Sequence, residues 1–204
     1  MTNEQYYDLR TPYNDALQII GTRIDILDHN LYHKPSSGPV HHIQKRVKSK
    51  QSIEEKLRKL NLTDSKVNAK ENLLDIAGIR VICYFADDIY NLVEVLKGQS
   101  DLIILKEKDY IKHPKPNGYR SYHIIIGVPL YYADATEYFP VEVQFRTMAM
   151  DMWASLEHRI YYKKGKEKDE KLEEELLNYA YILADLEERF KKHNENERLK
   201  IQKE

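Results

Sequence analysis

Between Val141 and Arg146 the chain alternates apolar and polar residues without a slip. Successive side chains of a β-strand point to opposite faces, so Val141, Val143 and Phe145 share one face while Glu142, Gln144 and Arg146 share the other. Three functional side chains in register on one face of an otherwise apolar strand read as the floor of a polar site. A solvent-facing strand would alternate in the same way. What favours a site is the nearby run Lys112-His113-Pro114-Lys115-Pro116-Asn117-Gly118-Tyr119-Arg120-Ser121-Tyr122-His123. It supplies cations, a rigid Pro-x-Pro-x-Gly turn and aromatic rings flanking Arg120. A ring for a base beside positive charge for its phosphates is what a purine nucleotide needs.

Elsewhere the periodicity changes. Tyr13, Leu17, Ile20, Ile24, Leu27 and Leu31 alternate steps of four and three, the stripe of an amphipathic helix. Pro35, Gly38 and Pro39 then break the chain. Ser52 to Glu55 fits a capping box, which predicts a second helix there carrying Ile53, Leu57 and Leu60. Ile79, Val81, Cys83 and Phe85 predict a strand. Asp87 is the expected cap of a short helix through Ile89, Leu92 and Leu96 that ends at Gly98. Residues 102–105, 122–128 and 139–145 read as further strands, and 108–120 as loop.

Beyond Thr147 two more helices are expected. One runs through Met150, Trp153, Ala154, Glu157 and Tyr161. The other is striped by Leu172, Leu176, Tyr179, Leu183, Leu186 and Phe190, with charges of both signs interspersed. The expected order is α-α-β-α-β-β-β-α-α. That is an α+β fold with a mixed sheet, helices packed on it, and helical N- and C-terminal arms. Cys83 is expected inside its strand, and most of the 16 tyrosines at core positions.

Composition narrows the function classes. The chain has 204 residues, enough for one domain with one core. Lys and Arg number 32 against 33 Asp and Glu, and a net charge of −1 argues against a protein built to coat nucleic acid. A single cysteine excludes an internal disulfide and a zinc cage of several thiolates. The first ten residues hold no apolar run and no long apolar stretch follows, so the expectation is a cytoplasmic protein without membrane contact.

Two further stretches suggest chemistry. Seven basic residues lie between Lys45 and Lys59 (Lys45, Arg46, Lys48, Lys50, Lys56, Arg58 and Lys59) against Glu54 and Glu55 alone. Lysines beside a helix N-terminus attract anions, because free N–H groups and the helix dipole act together. Asp75-Ile76-Ala77-Gly78-Ile79-Arg80 places opposite charges and a glycine at a strand mouth, where the backbone can come close to a ligand. Each alone also fits a bland role, a solvated helix or a simple Asp–Arg pair.

Taken together these residues resemble a known family. Arg46-x-Lys48, Asp75-Ile-x-Gly-x-Arg80, the run from Pro114 to His123, Glu142-x-Gln144-x-Arg146-Thr147 and Trp153-Ala-x-x-Glu157-His158 occur in the order of RelA/SpoT-type (p)ppGpp synthetases. The size is similar to the small alarmone synthetases, nearest the RelP type and then the RelQ type. The resemblance implies a nucleotidyltransferase-like fold and a single synthetase domain, with a catalytic core at 40–165 between arms at 1–35 and 168–204. It implies transfer of the β,γ-pyrophosphate of ATP to the 3′-hydroxyl of GDP or GTP, giving AMP and ppGpp or pppGpp. Arg46 and Arg80 are then expected to sandwich adenine, and Lys48, Ser52, Lys56 and Arg58 to hold the ATP phosphates. Asp75 and Glu142 are the expected Mg2+ ligands, with Glu142 also the base. Tyr119 is expected on guanine, His123 and Gln144 on the acceptor, and Lys112 and Lys115 on its phosphates. A homotetramer and a secondary role in RNA binding are further expectations.

No histidine is followed by aspartate, so the hydrolase pair of the long bifunctional relatives is missing. Lys106-Glu107-Lys108-Asp109 resembles their Arg-x-Lys-Asp signature and leans towards GDP. A generic nucleotidyltransferase would carry Gly-Ser before closely spaced aspartates, and the chain has no Gly-Ser dipeptide. The competing reading is a non-catalytic nucleotide sensor or RNA-binding module on the same fold. Such a protein would have lost Glu142, Asp75 or Tyr119, and all three are present.

Overall fold

The computed structural model describes residues 1–31, 38–163 and 169–201, without the side chains of 162, 163 and 195–201. Pro35 and the expected boundaries at 35, 165, 168 and 204 lie outside the described residues. In chain order the elements are α1 (Asn3–Leu31), β1 (Val40–Val47), α2 (Lys50–Lys59), α3 (Lys66–Asn72), β2 (Ala77–Cys83) and α4 (Ala86–Lys97). Then follow β3 (Ile103–Asp109), β4 (Tyr122–Tyr131), β5 (Thr136–Thr147), α5 (Met148–Lys163) and α6 (Glu170–Ile201). The strands form one mixed sheet in the order β1-β2-β5-β4-β3, in which β2 and β5 run parallel and the other neighbours antiparallel.

One face of this sheet is the core. Ile79 and Val81 of β2, Ile124, Ile126 and Val128 of β4, and Val141, Val143 and Phe145 of β5 are all buried on it. Leu9, Tyr13, Leu17, Ile20 and Ile24 of α1 and Ile89, Leu92 and Leu96 of α4 close over it. Each such side chain contributes about 1.5–3 kcal/mol when fully buried, so this face holds the sheet together and leaves the other available for polar work. A second, smaller cluster joins Trp153 and Ala154 of α5 to Leu176 and Ala180 of α6, with Tyr119 packed against it. The Trp153 indole N–H donates to the Leu176 carbonyl at 2.8 Å.

The α+β class, the mixed sheet and both helical arms agree with the sequence reading, but the element order does not. It lacks β1 and α3. Strand β1 is an edge whose register shifts between Val40 and His42, so Val40, Ile43 and Val47 follow no period of two. Helix α3 spans only seven residues, too few to show a stripe. The cap of α2 is Ser49, not Ser52: the Ser49 hydroxyl accepts from the Ser52 N–H at 3.3 Å. Asp87 is not the cap of α4 either, since the Phe85 N–H donates to the Asp88 carboxylate at 3.1 Å. Phe85 therefore starts a helix and does not end β2. Lys108 and Asp109 belong to β3 and not to the loop. Cys83 is buried as expected. The tyrosines are not mostly core: among the described residues only Tyr13 and Tyr122 are buried, and Tyr7, Tyr84, Tyr131, Tyr132, Tyr138, Tyr179 and Tyr181 are exposed.

Candidate functional site

Strand register assembles the polar face. Arg46 pairs with Gly78, Gly78 with Glu142, Glu142 with Ile125 and Ile125 with Lys106, which makes one row across all five strands. The next row is Gln44, Arg80, Gln144, His123 and Lys108. Paired residues point to the same side of a sheet, so both rows face one groove. Gly78 keeps it open between Arg46 and Glu142. A Cβ there would meet only backbone oxygens of Glu142 and Arg46 at 3.8 and 3.9 Å, so a side chain would stand in the groove itself.

The groove holds two adjoining cavities. Gln44, Arg46, Gly78, Arg80, Glu142 and Gln144 line one. Lys56, Asp75, Lys106, Lys108, Tyr110, Lys115, His123 and Glu142 are among the residues lining the other, about 370 Å³ in volume and within the ~300–1,000 Å³ usual for a ligand site. Glu142 stands in the wall of both. Asp75 and Glu142, far apart in the chain, thus meet in one cavity.

Asp75 lies just before β2, between Lys48 ahead of α2 and Lys56 in its last turn. One of its oxygens, Oδ2, takes the ammonium groups of both Lys48 and Lys56 at 2.5 Å. Burial opposes its ionisation, but the hydrogen bonds and charges of the two lysines outweigh that and hold its pKa below the ordinary value. The other oxygen, Oδ1, is buried with no hydrogen-bond partner among the described residues. Lys48 is locked from three sides: its N–H donates to the Ile76 carbonyl at 2.8 Å, its ammonium to the Asp75 carbonyl at 3.0 Å, and its own carbonyl accepts from the Tyr6 hydroxyl at 3.0 Å.

Glu142 ends a chain of contacts. Its Oε1 lies 3.6 Å from His123 Nδ1, and its Oε2 accepts from the Gln144 amide at 3.0 Å. The His123 contact, helped by Gln144 and opposed by burial and by Asp75, holds the Glu142 carboxyl below its ordinary range. His123 Nε2 lies 2.9 Å from the Tyr119 hydroxyl, which also accepts from Arg146 Nη2 at 3.0 Å. With Nε2 as the acceptor, Nδ1 carries the proton that faces Glu142.

Tyr119 is fixed by its neighbours. Its ring has Lys115 Nζ at 4.7 Å and the Arg146 guanidinium at 5.3 Å, with Tyr110, His123 and Trp153 edge-on. Gly118, at φ +90°, lets the loop turn under α6, where an added Cβ would sit 2.8 Å from that of Ala180. The Asn117 side chain accepts the Tyr119 N–H at 3.2 Å, and the Ser121 hydroxyl donates to the Phe145 carbonyl at 3.0 Å, which ties the loop to β5.

Arg46, Lys48, Lys56, Asp75, Arg80, Lys115, His123, Glu142 and Gln144 therefore converge on the groove, with Tyr119 against His123. Ser52 lies exposed in the first turn of α2, 3.0 Å from the Ser49 hydroxyl. Arg58 and Lys112 are not brought in. Arg58 is 61% exposed and pairs with Asp64 at 3.8 Å, while the Lys112 ammonium lies 4.9 Å from the ring centre of Tyr90, a residue of α4 on the core face. Tyr110 and Asp151 are not among the expected site residues, and Lys106 and Lys108 enter the sequence reading only as a signature that leans towards GDP. The i, i+2 spacing of the two lysines was the available signal for them. Tyr122, at 4% exposure, faces the core and donates to Glu107.

Among the described residues no helix is long and apolar enough to cross a membrane. None of their His, Cys, Asp and Glu side chains form a group of three suited to a metal. Asp75 and Glu142 offer only oxygen, one atom of which has no partner among the described residues, and that suits a hard cation needing one or two carboxylates.

Comparisons with known proteins agree with this geometry. The family model described as a region found in RelA/SpoT proteins matches residues 45–167. The chain is 46% identical over 179 residues to the GTP pyrophosphokinase YwaC of Bacillus subtilis (strain 168), covering 87% of this chain and 84% of that protein. It superposes on the crystal structure of small alarmone synthetase 2 from Bacillus subtilis with a TM-score of 0.80 at 42% identity, over 94% of this chain and 98% of that one. Small alarmone synthetase 1 from the same organism, bound to its product pppGpp, gives a TM-score of 0.81 at 29% identity over 95% and 98% of the two chains. With three-fifths of its length inside the family model and the motifs gathered on one sheet face, the chain belongs to the RelA/SpoT family.

Proposed function

We propose that this protein is a (p)ppGpp synthetase, a GTP/GDP pyrophosphokinase. The observation that carries this reading is the position of Glu142 in the wall shared by two cavities, one lined by arginines and one by lysines and aromatic rings. In the reaction the 3′-hydroxyl oxygen of GDP or GTP attacks the β-phosphorus of ATP. The bond from that phosphorus to the oxygen bridging to the α-phosphate breaks, AMP leaves with the bridging oxygen, and the hydroxyl proton passes to Glu142.

Placement supports the roles that the resemblance implies. Arg46 and Arg80, on neighbouring strands, offer flat guanidinium surfaces to adenine. Lys48 and Ser52, at the start of α2, face the ATP phosphates, where the helix N-terminus adds to the charge, and Lys56 reaches the same place from the last turn of α2 by way of Asp75. Tyr119 offers its ring to guanine, His123 and Gln144 hold Glu142 and the acceptor hydroxyl, and Lys115, Lys108 and Lys106 neutralise acceptor phosphates. Asp75 and Glu142 would hold Mg2+, which when bound polarises phosphate oxygens and offsets developing negative charge. A carboxylate kept acidic by His123 stays ionised at neutral pH and ready to accept a proton. Arg58 and Lys112, outside the groove, have no assigned role. Residence in the cytoplasm and assembly as a homotetramer belong to the same proposal. Tyr179, Ile182, Leu186 and Phe190 of α6, all exposed, support contact between copies, which light scattering tests.

The direct test supplies purified protein with magnesium, ATP and GDP or GTP and identifies the adenine product. AMP is expected, and ADP or free inorganic pyrophosphate would remove the assignment. Glu142→Gln should lower turnover by about 10²–10⁴-fold, the range of general base catalysis, while nucleotide affinity largely survives.

A further inference from the structure

Asp151 sits in the first turn of α5, directly beyond the end of β5. A single oxygen, Oδ1, receives arginines from two different strands: Arg146 Nη1 of β5 at 2.9 Å and Arg80 Nη1 of β2 at 3.2 Å. The two arginines serve different parts of the site. Arg80 lines the cavity that contains Arg46. Arg146 turns Nη2 to the Tyr119 hydroxyl at 3.0 Å and lays its guanidinium against the Tyr119 ring.

Arg46, Arg80 and Arg146 crowd like charges into one region. Burial, then Arg146 and also Arg46, lower the Arg80 pKa, with Asp151 and Tyr119 opposing them. Arg146 is itself 6% exposed, so it cannot relieve the repulsion by turning into water. A carboxylate at this point is what lets two guanidinium groups stand side by side in fixed orientations.

Resting on the two-nucleotide reading above, we propose that Asp151 is a positioning residue that ties the donor-base site to the acceptor-base site. It holds Arg80 as a wall for adenine and Arg146 as the brace of Tyr119, so both nucleotides meet surfaces set by one carboxylate. Asp151 touches neither nucleotide. Its effect passes through the two arginines.

The experiment measures, by calorimetry on the whole chain, the affinity for a non-hydrolysable ATP analogue and for GDP, with thermal melting as the check on folding. Asp151→Asn keeps shape and loses charge. It should weaken both nucleotides about tenfold, the scale of a lost charge-assisted hydrogen bond. Arg80→Gln should weaken only the ATP analogue, and Arg146→Gln mainly GDP. In the Arg80→Gln/Arg146→Gln protein, adding Asp151→Asn should cost no further affinity. That double background also has no like charges to repel, so it tests the role even where Asp151→Asn alone does not fold. The proposal is overturned if Asp151→Asn leaves either nucleotide at wild-type affinity, or if its effect persists undiminished in the double background. These outcomes concern binding, whereas the synthetase reading stands or falls on AMP release by the wild-type protein.

Discussion

Two carboxylates, each gripping two cations, stand at opposite ends of the parallel strands β2 and β5, Asp75 before the one and Asp151 after the other, and they do different work. Asp75 gathers Lys48 and Lys56 on one oxygen and leaves its second buried oxygen without a partner among the described residues. Asp151 gathers Arg80 and Arg146, and the flat guanidinium of Arg146 keeps further bonds to Tyr119 and Gln144. Lysine is a point charge on a flexible stem and can leave its carboxylate for a phosphate. Arginine is a planar fork that fixes orientation. The Asp75 end is thus arranged to exchange partners, the Asp151 end to keep them. The lesson is that a local charge census does not distinguish the two: both are one anion with two cations.

The largest expected effect separates them by kinetics. Asp75→Asn should cut turnover by at least about 10²-fold, because a metal ion on a phosphoryl oxygen supplies several kcal/mol to the transition state. Asp151→Asn should act mainly on affinity. If Asp75→Asn raised only KM, the contrast between the two ends would break. Next in size is Tyr119→Ala. Loss of base stacking should weaken guanosine nucleotide binding by ~1–3 kcal/mol and leave the ATP analogue nearly unchanged, as titration calorimetry can read.

Gly118→Ala is smaller. It forces a side chain at φ +90° into Ala180, so it should destabilise by about 1–2 kcal/mol and lower Tm by ~2–4 °C per kcal/mol. Since Tyr119 follows directly, GDP affinity should fall with it and ATP affinity should not. The smallest effect sharpens the Asp75 end alone. Its folded pKa is lowered, so its contribution to stability is complete above the ordinary 3.8 and lost as pH falls through the lowered value. The Tm difference between wild type and Asp75→Asn should therefore narrow below that pH, measured by calorimetry.

Much of this site was legible in the linear chain. Alternation marked Glu142, Gln144 and Arg146 as one face of β5, and the loop from Lys112 to His123 announced a ring among cations. Lys106 and Lys108 carried a signature but no place in the groove, and Asp151 carried no signal at all. Lys106 and Lys108 lie on an edge strand shifted in register between Ile104 and Lys106, so the apolar pattern ends before the strand does. Asp151 looks like an ordinary acid in a helix's first turn until β2 brings Arg80 beside it. Ser49 and Ser52, three residues apart, both fit a cap. The choice was made by Lys48, which is held on the Ile76 carbonyl and leaves Ser49 extended as the last residue before α2.

The order of residues along the chain decided which side chains share a face, because periods of two and of three to four are set by the backbone over a few residues. It therefore decided the α+β class, the two arms and the polar floor. Which carboxylate meets which cation was decided only on folding. An ion pair forms or fails within a few ångströms, and here that distance depends on how β1, β2 and β5 align across the sheet and how α5 and α6 press the loop at Gly118 against it.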